Sequence, residues 1–130
     1  MSNQKVVDIL NDQHLDSDKY FISIDKGTYD AISLMKENTK TKRYLYKKYL
    51  ISIMQSGGYF IIASCNWTDS ELKEFFLEDN RKNFRVFFKC IVFISIIAEF
   101  ELVDELKSPA NFMFGGKSGS KTTTIVFKYK

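Results

Sequence analysis

The sequence has few of the residues that mark special structural or catalytic chemistry. Among its 130 residues there are two cysteines, one histidine, one proline and six glycines. Two cysteines without CxxC spacing exclude a disulfide framework, and we expect Cys65 and Cys90 to be buried free thiols in a reducing compartment. The single histidine, His14, lies in an acidic turn with no cysteine near it, so neither a metal site nor a catalytic dyad is expected.

Long hydrophobic runs and enzyme motifs are also absent from the sequence. The longest uncharged apolar run, Cys90 to Ala98, is far shorter than the ~20 residues that a membrane-spanning helix needs. The first apolar stretch is interrupted by Asp8, Asn11 and Asp12, so no secretory signal is expected. No phosphate loop or dinucleotide fingerprint occurs. These absences predict a cytoplasmic protein that contacts no membrane, has no enzyme activity and needs no cofactor or metal.

Aromatic residues are abundant and indicate a substantial core. Hydrophobic residues make up 45% of the chain, and there are 12 Phe and 7 Tyr, side chains that fit the pleated surface of a sheet. The length predicts a single globular domain over 1–130. We expect an α+β fold: a mostly antiparallel sheet of about five strands, with two main helices on one face and a short N-terminal helix.

Local patterns predict the order of the helices and strands. Thr68 and Glu71 have capping-box spacing, and Trp67 and Leu72 occupy the two staple positions, so a helix should begin there. Apolar residues or cysteine at every even position from Phe84 to Leu102 predict a long or bulged strand, although a helix over 96–104 fits almost as well. The other expected elements are a helix over 3–11, a strand over 20–24, a helix over 29–38, a basic loop over 39–43, a hairpin of 49–54 with 59–64, a helical turn over 108–115 and a strand over 122–129.

Charge is concentrated in blocks, and one block suggests RNA binding. Residues 36–48 contain six basic residues and one acidic residue, interleaved with tyrosines. Basic side chains meet phosphates and tyrosine rings stack on bases. The alternative is that these tyrosines pack inward at the entry to a strand. The candidate RNA contacts are Lys40, Lys42, Arg43, Lys47 and Lys48.

The segment 108–120 suggests a protein-binding loop. It places Phe112, Met113 and Phe114 between Pro109 and a glycine-rich stretch. An apolar triplet in such a loop is typical of a hot spot for a partner, and we expect the loop to be mobile with these side chains partly exposed. The alternative is a small satellite core under the sheet. Lys117 and Lys121 would supply charge at the rim of the contact.

The SPANFMFGG loop, the aromatic β-rich core and the chain length resemble the amino-terminal RNA-silencing suppressors of insect dicistroviruses, the Cricket paralysis virus type. The resemblance implies a small α+β protein that binds a host Argonaute through a late loop, with Phe114 as the contact, and recruits a cullin–RING ubiquitin ligase. Leu106, Ala110 and Phe114 also have the spacing of an elongin-type adaptor motif.

These observations lead to two hypotheses. The first is a non-enzymatic viral inhibitor of host RNA silencing, acting in the host cytoplasm through Argonaute. The second is a silencing suppressor that binds RNA through the basic residues of 36–48.

Overall fold

The computed structural model describes residues 4–11, 18–77, 99–107, 113–114, 117–118 and 122–130. Along the chain, strand β1 (Tyr20–Lys26) leads to helices α1 (Thr28–Ser33) and α2 (Thr39–Ile53). Strand β2 (Met54–Ser64) and helix α3 (Asp69–Leu77) follow. The later elements are β3 (Phe100–Lys107), the short β4 (Met113–Phe114) and β5 (Lys117–Ser118), and β6 (Thr123–Tyr129).

Four strands form one mixed sheet, in the order β1-β2-β6-β3. β1 and β2 are parallel, whereas β6 is antiparallel to both of its neighbours, β2 and β3. β4 and β5 form a separate two-stranded ladder. A parallel pair requires a crossover connection, and α1 and α2 supply it. The mixed α/β character is as expected, but five mostly antiparallel strands are not found in the described residues.

The core lies between the sheet and the three helices. Phe60 and Ile62 of β2 and Phe127 of β6 are fully buried, because alternate residues of a strand point to the same face. Each helix contributes residues to this same cluster, so all three pack on one face of the sheet. The helical members of the cluster are Tyr29, Ile32, Tyr46, Leu50, Leu72 and Phe76.

The predicted hairpin of 49–54 with 59–64 is wrong. Residues up to Ile53 belong to α2, and β2 runs through the glycine pair without reversing. Gly57 has φ 83°, and the pairing of β1 with β2 jumps from Tyr20–Met54 to Ile22–Tyr59, so the glycines form a bulge. A Cβ on Gly58 would lie 2.5 Å from the Phe21 carbonyl oxygen. The glycines therefore permit close approach of β1.

The predicted basic loop over 39–43 and the strand from Tyr49 are wrong as well, since both segments lie in α2. Tyrosine and isoleucine favour strands locally, but Tyr46 and Leu50 are one helical turn apart and both are buried. Packing against the core thus overrides local preference. The expected helix over 3–11 is also wrong, since residues 4–8 have no regular structure and 9–11 form a turn. The helix expected over 29–38 is found only in its first half, because α1 ends at Ser33.

Other expected elements are found. The strands at 20–24 and 122–129 are present as β1 and β6, and Phe100–Lys107 is a strand. Residues 84–98 of the predicted long strand lie outside the described residues. So does most of the helical turn at 108–115, and its last described part, Met113–Phe114, is a strand. Cys65 is exposed, not buried, whereas Cys90 and His14 lie outside the described residues.

The predicted capping box at the start of α3 is confirmed. The Thr68 N–H donates to Glu71 Oε2 at 2.9 Å, and the Glu71 N–H donates to Thr68 Oγ1 at 3.3 Å. These contacts satisfy two amides that the first helical turn would otherwise leave unpaired. The Thr68 N–H and the Thr68 hydroxyl both donate to Glu71 Oε2, and these bonds hold the pKa of the Glu71 carboxyl below its usual value.

We expect Thr68→Ala to lower the free energy of unfolding by ~1 kcal/mol, because the side-chain acceptor of the cap is lost. Urea denaturation followed by circular dichroism measures this change. Ser70→Ala, an exposed substitution within the same first turn, is the matched control. Equal denaturation midpoints for the two variants would contradict the cap.

Candidate functional site

The carboxyl ends of the two parallel strands lie side by side and carry the most connected polar cluster in the described residues. β1 ends in Asp25-Lys26 and β2 ends in Ser64, and each strand is followed by a turn into a helix. In open α/β sheets, ligands bind in the crevice outside the carboxyl ends of the strands. We therefore take the turns at 25–28 and 64–68 as the candidate site.

Asp25 organises the turn after β1. Its buried carboxylate accepts hydrogen bonds from the Thr28 N–H at 2.8 Å and the Tyr29 N–H at 2.9 Å, the first amides of α1. The Tyr46 hydroxyl of α2 donates to the same carboxylate. Gly27, between strand and helix, has φ 97°, a conformation that glycine adopts without strain. The turn thereby fixes the directions of β1, α1 and α2.

Asp30 performs the same task for the turn after β2. Its carboxylate accepts the Ser64 hydroxyl at 2.5 Å and the Cys65 N–H at 2.9 Å. Ser64 Oγ in turn accepts the N–H groups of Asn66 at 3.2 Å and Trp67 at 3.0 Å. The buried Asp30 carboxylate of α1 therefore binds the backbone of the turn after β2, so the positions of the two turns depend on each other.

Arg43 of α2 covers the aromatic side of the cluster. Its guanidinium carbon lies 4.4 Å from the Trp67 ring centroid and 4.5 Å from that of Phe75. Its Nε donates to the Tyr29 hydroxyl at 2.7 Å. Lys47, one turn further on, is buried and donates to the Phe75 carbonyl oxygen at 3.0 Å. Two cations of α2 thus join α1, α3 and the turn that holds Trp67.

Trp67 Nε1 is buried without a hydrogen-bond partner in the described residues. A buried donor left unpaired costs ~1–3 kcal/mol. The arginine above its ring partly offsets this cost, since cation–π contacts contribute ~0.5–2 kcal/mol. The indole is therefore held by stacking and not by a hydrogen bond.

The residues predicted to bind RNA do not form one surface. Arg43 and Lys47 point into the protein and contact aromatic rings, whereas Lys40 and Lys48 are exposed and Lys42 is half-buried. Helical geometry separates residues that the sequence places together. Arg43 and Lys47 of this basic segment instead connect α2 to α1 and α3.

The residues predicted to bind a protein partner are only partly described. Leu106 is exposed on β3. Met113 pairs with Ser118 and Phe114 with Lys117 across the β4–β5 ladder. Ala110, Phe112 and Lys121 lie outside the described residues, as does most of the predicted mobile loop at 108–120. None of these residues is brought to the turns at 25–28 and 64–68 by a contact in the described structure.

Sequence reasoning missed the two aspartates and Tyr29. The signal was present: Asp25-Lys26-Gly27-Thr28 interrupts an apolar strand with an acid, a glycine and a cap former, a pattern typical of a strand-to-helix turn. The coupling of Asp30 to Ser64, 34 positions away, has no local signal.

Comparison with known proteins gives a consistent picture. No protein-family model matches the chain. EEF1A lysine methyltransferase 2 of Mus musculus is 38% identical over 126 residues, covering 97% of this chain and 43% of that protein. Its Danio rerio counterpart is also 38% identical, over 97% and 45%. Protein-lysine N-methyltransferase efm4 of Schizosaccharomyces pombe is 30% identical over 94% and 44%. The chain spans less than half the length of these curated relatives.

The fold is shared with a methyltransferase of known structure. The N-methyltransferase NodS from Bradyrhizobium japonicum WM9 superposes with a TM-score of 0.51 at 12% identity, over 95% of this chain and 57% of that chain. The sheet and its three helices therefore have a methyltransferase-like architecture.

These findings overturn the viral interpretation. The relatives are named as protein-lysine methyltransferases of animals and fungi, not as dicistrovirus silencing suppressors. Inhibition of Argonaute through Phe114, recruitment of an elongin–cullin ligase through Leu106 and Ala110, and RNA binding are withdrawn with it. The expectations of a non-enzymatic protein and of a location in the host cytoplasm are withdrawn as well. A loop match of only nine residues was too short to identify a family.

Neither a membrane-spanning helix nor a metal-binding group of side chains is found in the described part of the chain. Within it, no helix has the length and apolar character to cross a bilayer. The same residues include no group of three or more His, Cys, Asp and Glu side chains that could hold a metal ion.

Arg43→Met should lower the free energy of unfolding by about 1–2 kcal/mol, because the cation–π contacts and the bond to Tyr29 are lost. It should also shift the fluorescence of the chain's single tryptophan. Lys40→Met, an exposed change one turn earlier on α2, is the control. Urea denaturation read by tryptophan emission measures both effects, and equal losses in the two variants would show that Arg43 is an ordinary surface residue.

Two tyrosines of the cluster should make the protein sensitive to alkali. Burial raises the pKa of Tyr29, and burial together with the nearby Asp25 carboxylate raises the pKa of Tyr46. The folded state then holds phenolic protons that the unfolded chain releases above about pH 10. Stability should be fully present below that pH and fall as pH rises beyond it.

Thermal unfolding between pH 8 and pH 11 tests this expectation. The decline in Tm above pH 10 should be shallower in Tyr46→Phe than in the unmodified chain, with the partly exposed Tyr20→Phe as the control. A decline of the same steepness in Tyr46→Phe would show that another group causes the alkaline loss.

Proposed function

We propose that this chain forms part of a protein-lysine methyltransferase that modifies EEF1A. The observation that carries the proposal is the 38% identity to the mouse protein, extending over 97% of this chain. Similarity on that scale includes both turns of the candidate site, whereas the earlier resemblance rested on one loop. EEF1A is proposed as the substrate because the mouse, human and zebrafish relatives are named for it.

The geometry of the site supports this function. A methyltransferase must hold an acceptor amine in line with the donor, and misplacement of reacting groups by about 1 Å can cost ~100-fold in rate. The buried carboxylates of Asp25 and Asp30 accept backbone amides of the turns at 25–28 and 64–68 and so hold both turns in place. In this proposal Asp25 and Asp30 are positioning residues, and the surfaces of the two turns face the reactants.

The described residues do not by themselves fit the methyl donor that the fold implies, S-adenosylmethionine. Asp25 and Asp30 already accept hydrogen bonds from the protein. The cleft beside Asp25, Tyr46 and Phe60 has a volume of about 120 Å³, whereas small-molecule sites usually measure ~300–1,000 Å³. We therefore assign no donor-binding residue in this chain and derive no step through the donor.

The cellular location of the activity is also part of the proposal. Cys65 is an exposed free thiol beside the site, which suits a reducing compartment such as the cytoplasm. That residues 1–130 fold as one unit stays a prediction, as does mobility of the loop at 108–120.

A chimera tests the proposed activity directly. Residues 1–130 would replace the 126 matched residues of the mouse protein, and the product would be incubated with EEF1A and S-adenosylmethionine. We expect methylation of EEF1A lysines, measured by mass spectrometry. Asp30→Asn within the chimera should slow methylation about tenfold or more, because the turn at 64–67 loses its acceptor. Glu74→Gln, an exposed change on α3, should not.

The chimera must first be shown to be folded by circular dichroism. A folded chimera that transfers no methyl group to EEF1A above a donor-free blank would refute the proposed activity. Methylation of another protein but not of EEF1A would refute EEF1A as the substrate and still support the methyltransferase activity.

A further inference from the structure

The exposed face of α2 carries a row of basic and aromatic residues. Lys40, Tyr44 and Lys48 are all exposed. They are spaced four residues apart, so they lie one above another along the helix. With a rise of ~1.5 Å per residue, the row is about 12 Å long. We call these three residues the α2 row.

The lysines of the α2 row differ from the other basic residues of the helix in their contacts. Arg43 and Lys47 both lie over the ring of Phe75 on α3. The ammonium groups of Lys40 and Lys48 form no ion pair or hydrogen bond with the residues that the structure describes. The helix thus uses part of its positive charge to hold the fold and presents another part to solvent.

Three large apolar side chains are exposed beside these lysines. Tyr44, within the row, is 41% exposed. Leu34 and Met35, in the connection between α1 and α2, are 70% and 41% exposed. The Thr39 hydroxyl donates to the Met35 carbonyl oxygen at 2.5 Å, which places this connection against the first turn of α2. Exposed apolar side chains grouped with charges are typical of a surface that binds another protein.

The charge of this surface favours an acidic partner. Within residues 34–48, the exposed charged side chains are three lysines, Lys36, Lys40 and Lys48, and one acid, Glu37. Basic patches attract acidic surfaces and raise association rates. A nucleic acid fits less well, because its bases stack on aromatic rings and Tyr44 is the only exposed ring of this segment. The surface therefore matches a protein that presents carboxylates around an apolar side chain.

The α2 row begins next to the candidate site. Arg43 follows Lys40 and precedes Tyr44 in the sequence, and its guanidinium carbon lies 4.4 Å from the ring centroid of Trp67 in the turn at 64–68. A protein substrate is much larger than the crevice that receives its lysine side chain. A substrate bound at the two turns therefore also covers the first turns of α2.

We propose that the α2 row docks an acidic surface of the protein substrate. Carboxylates of the substrate pair with Lys40 and Lys48, and an apolar side chain between them covers Tyr44. The inference rests on the proposed function for the presence of a protein substrate. It adds a determinant of substrate choice that lies outside the crevice at the strand ends.

Binding of an acidic peptide tests this chemistry without any methyl transfer. The intact 130-residue chain is titrated with a fluorescent peptide in which glutamates surround a leucine, and with the same peptide carrying glutamines. Fluorescence anisotropy measures both affinities. We expect the glutamate peptide to bind at least about tenfold more tightly at low salt, because the lysines attract its carboxylates. The preference should shrink as salt screens this attraction.

Variants with reversed charges localise the binding. Lys40→Glu combined with Lys48→Glu should weaken binding of the glutamate peptide about tenfold or more, because two attractions become repulsions. Lys5→Glu combined with Lys130→Glu makes the same change in net charge at two exposed positions elsewhere, and should have little effect. Tyr44→Ala keeps the charge and should weaken both peptides, since an apolar contact is lost. Circular dichroism checks that every variant is folded.

Kinetics of the chimera connect the row to the substrate. With EEF1A as acceptor, the combined Lys40→Glu and Lys48→Glu change should raise KM about tenfold and leave kcat within about twofold, because the row binds substrate away from the reacting groups. The combined Lys5→Glu and Lys130→Glu change should alter neither constant. An unchanged KM in the first variant of an active chimera would overturn the inference.

The peptide measurements separate this inference from the proposed function. A preference for the glutamate peptide that depends on Lys40 and Lys48 supports docking of an acidic surface, even when the chimera transfers no methyl group. Equal binding of the two peptides, or equal losses in the two charge-reversed variants, would overturn it even when the chimera methylates EEF1A. Tighter binding of an oligouridylate than of the glutamate peptide at the α2 row would also overturn it, in favour of a nucleic acid.

Discussion

The buried carboxylate of Asp25 is the contact on which the rest of the arrangement depends. It accepts the first two amides of α1 and the hydroxyl of Tyr46 on α2. A buried carboxylate without partners would be costly, so the three donors make its burial possible and, in return, orient two helices against the end of β1. Asp30, carried by α1, then reaches the end of β2. The position of one turn therefore sets that of the other.

This arrangement explains why an aromatic-rich core surrounds a polar site. Tyr29 contacts Tyr46, Phe75, Phe76 and Trp67 through ring centroids 5.2–5.9 Å apart, and its hydroxyl accepts from Arg43. Tyrosine combines a large apolar surface with one polar atom. It can therefore lie in the core and still end in the polar cluster. Arg43 likewise makes two kinds of contact: its planar guanidinium stacks on aromatic rings, and it also donates a hydrogen bond.

The family resemblance found from the sequence failed because it depended on composition and one loop. Phenylalanine and glycine in SPANFMFGG make up a short aromatic, glycine-containing sequence, which unrelated proteins can share. The residues that define the site, Asp25, Asp30 and Ser64, are ordinary polar residues separately and gain meaning only from their geometry. Function belongs to such constellations and not to the composition of a segment.

The sequence by itself determined the elements that depend on contacts within a few residues. The cap of α3 follows from Thr68 and Glu71 because both partners lie within one turn. β6 follows from the alternation of apolar residues, and β1 follows from a short apolar run that ends at the turn formers of 25–28. Only the tertiary structure decided that 39–53 is helical, since burial of Tyr46 and Leu50 in the shared core outweighs the strand preference of the tyrosines and isoleucines in this segment. It also decided that Gly57 and Gly58 form a bulge beside Phe21, and that Asp30 holds the turn after Ser64. Each of these depends on atoms far apart in the chain, whose energies no local pattern contains.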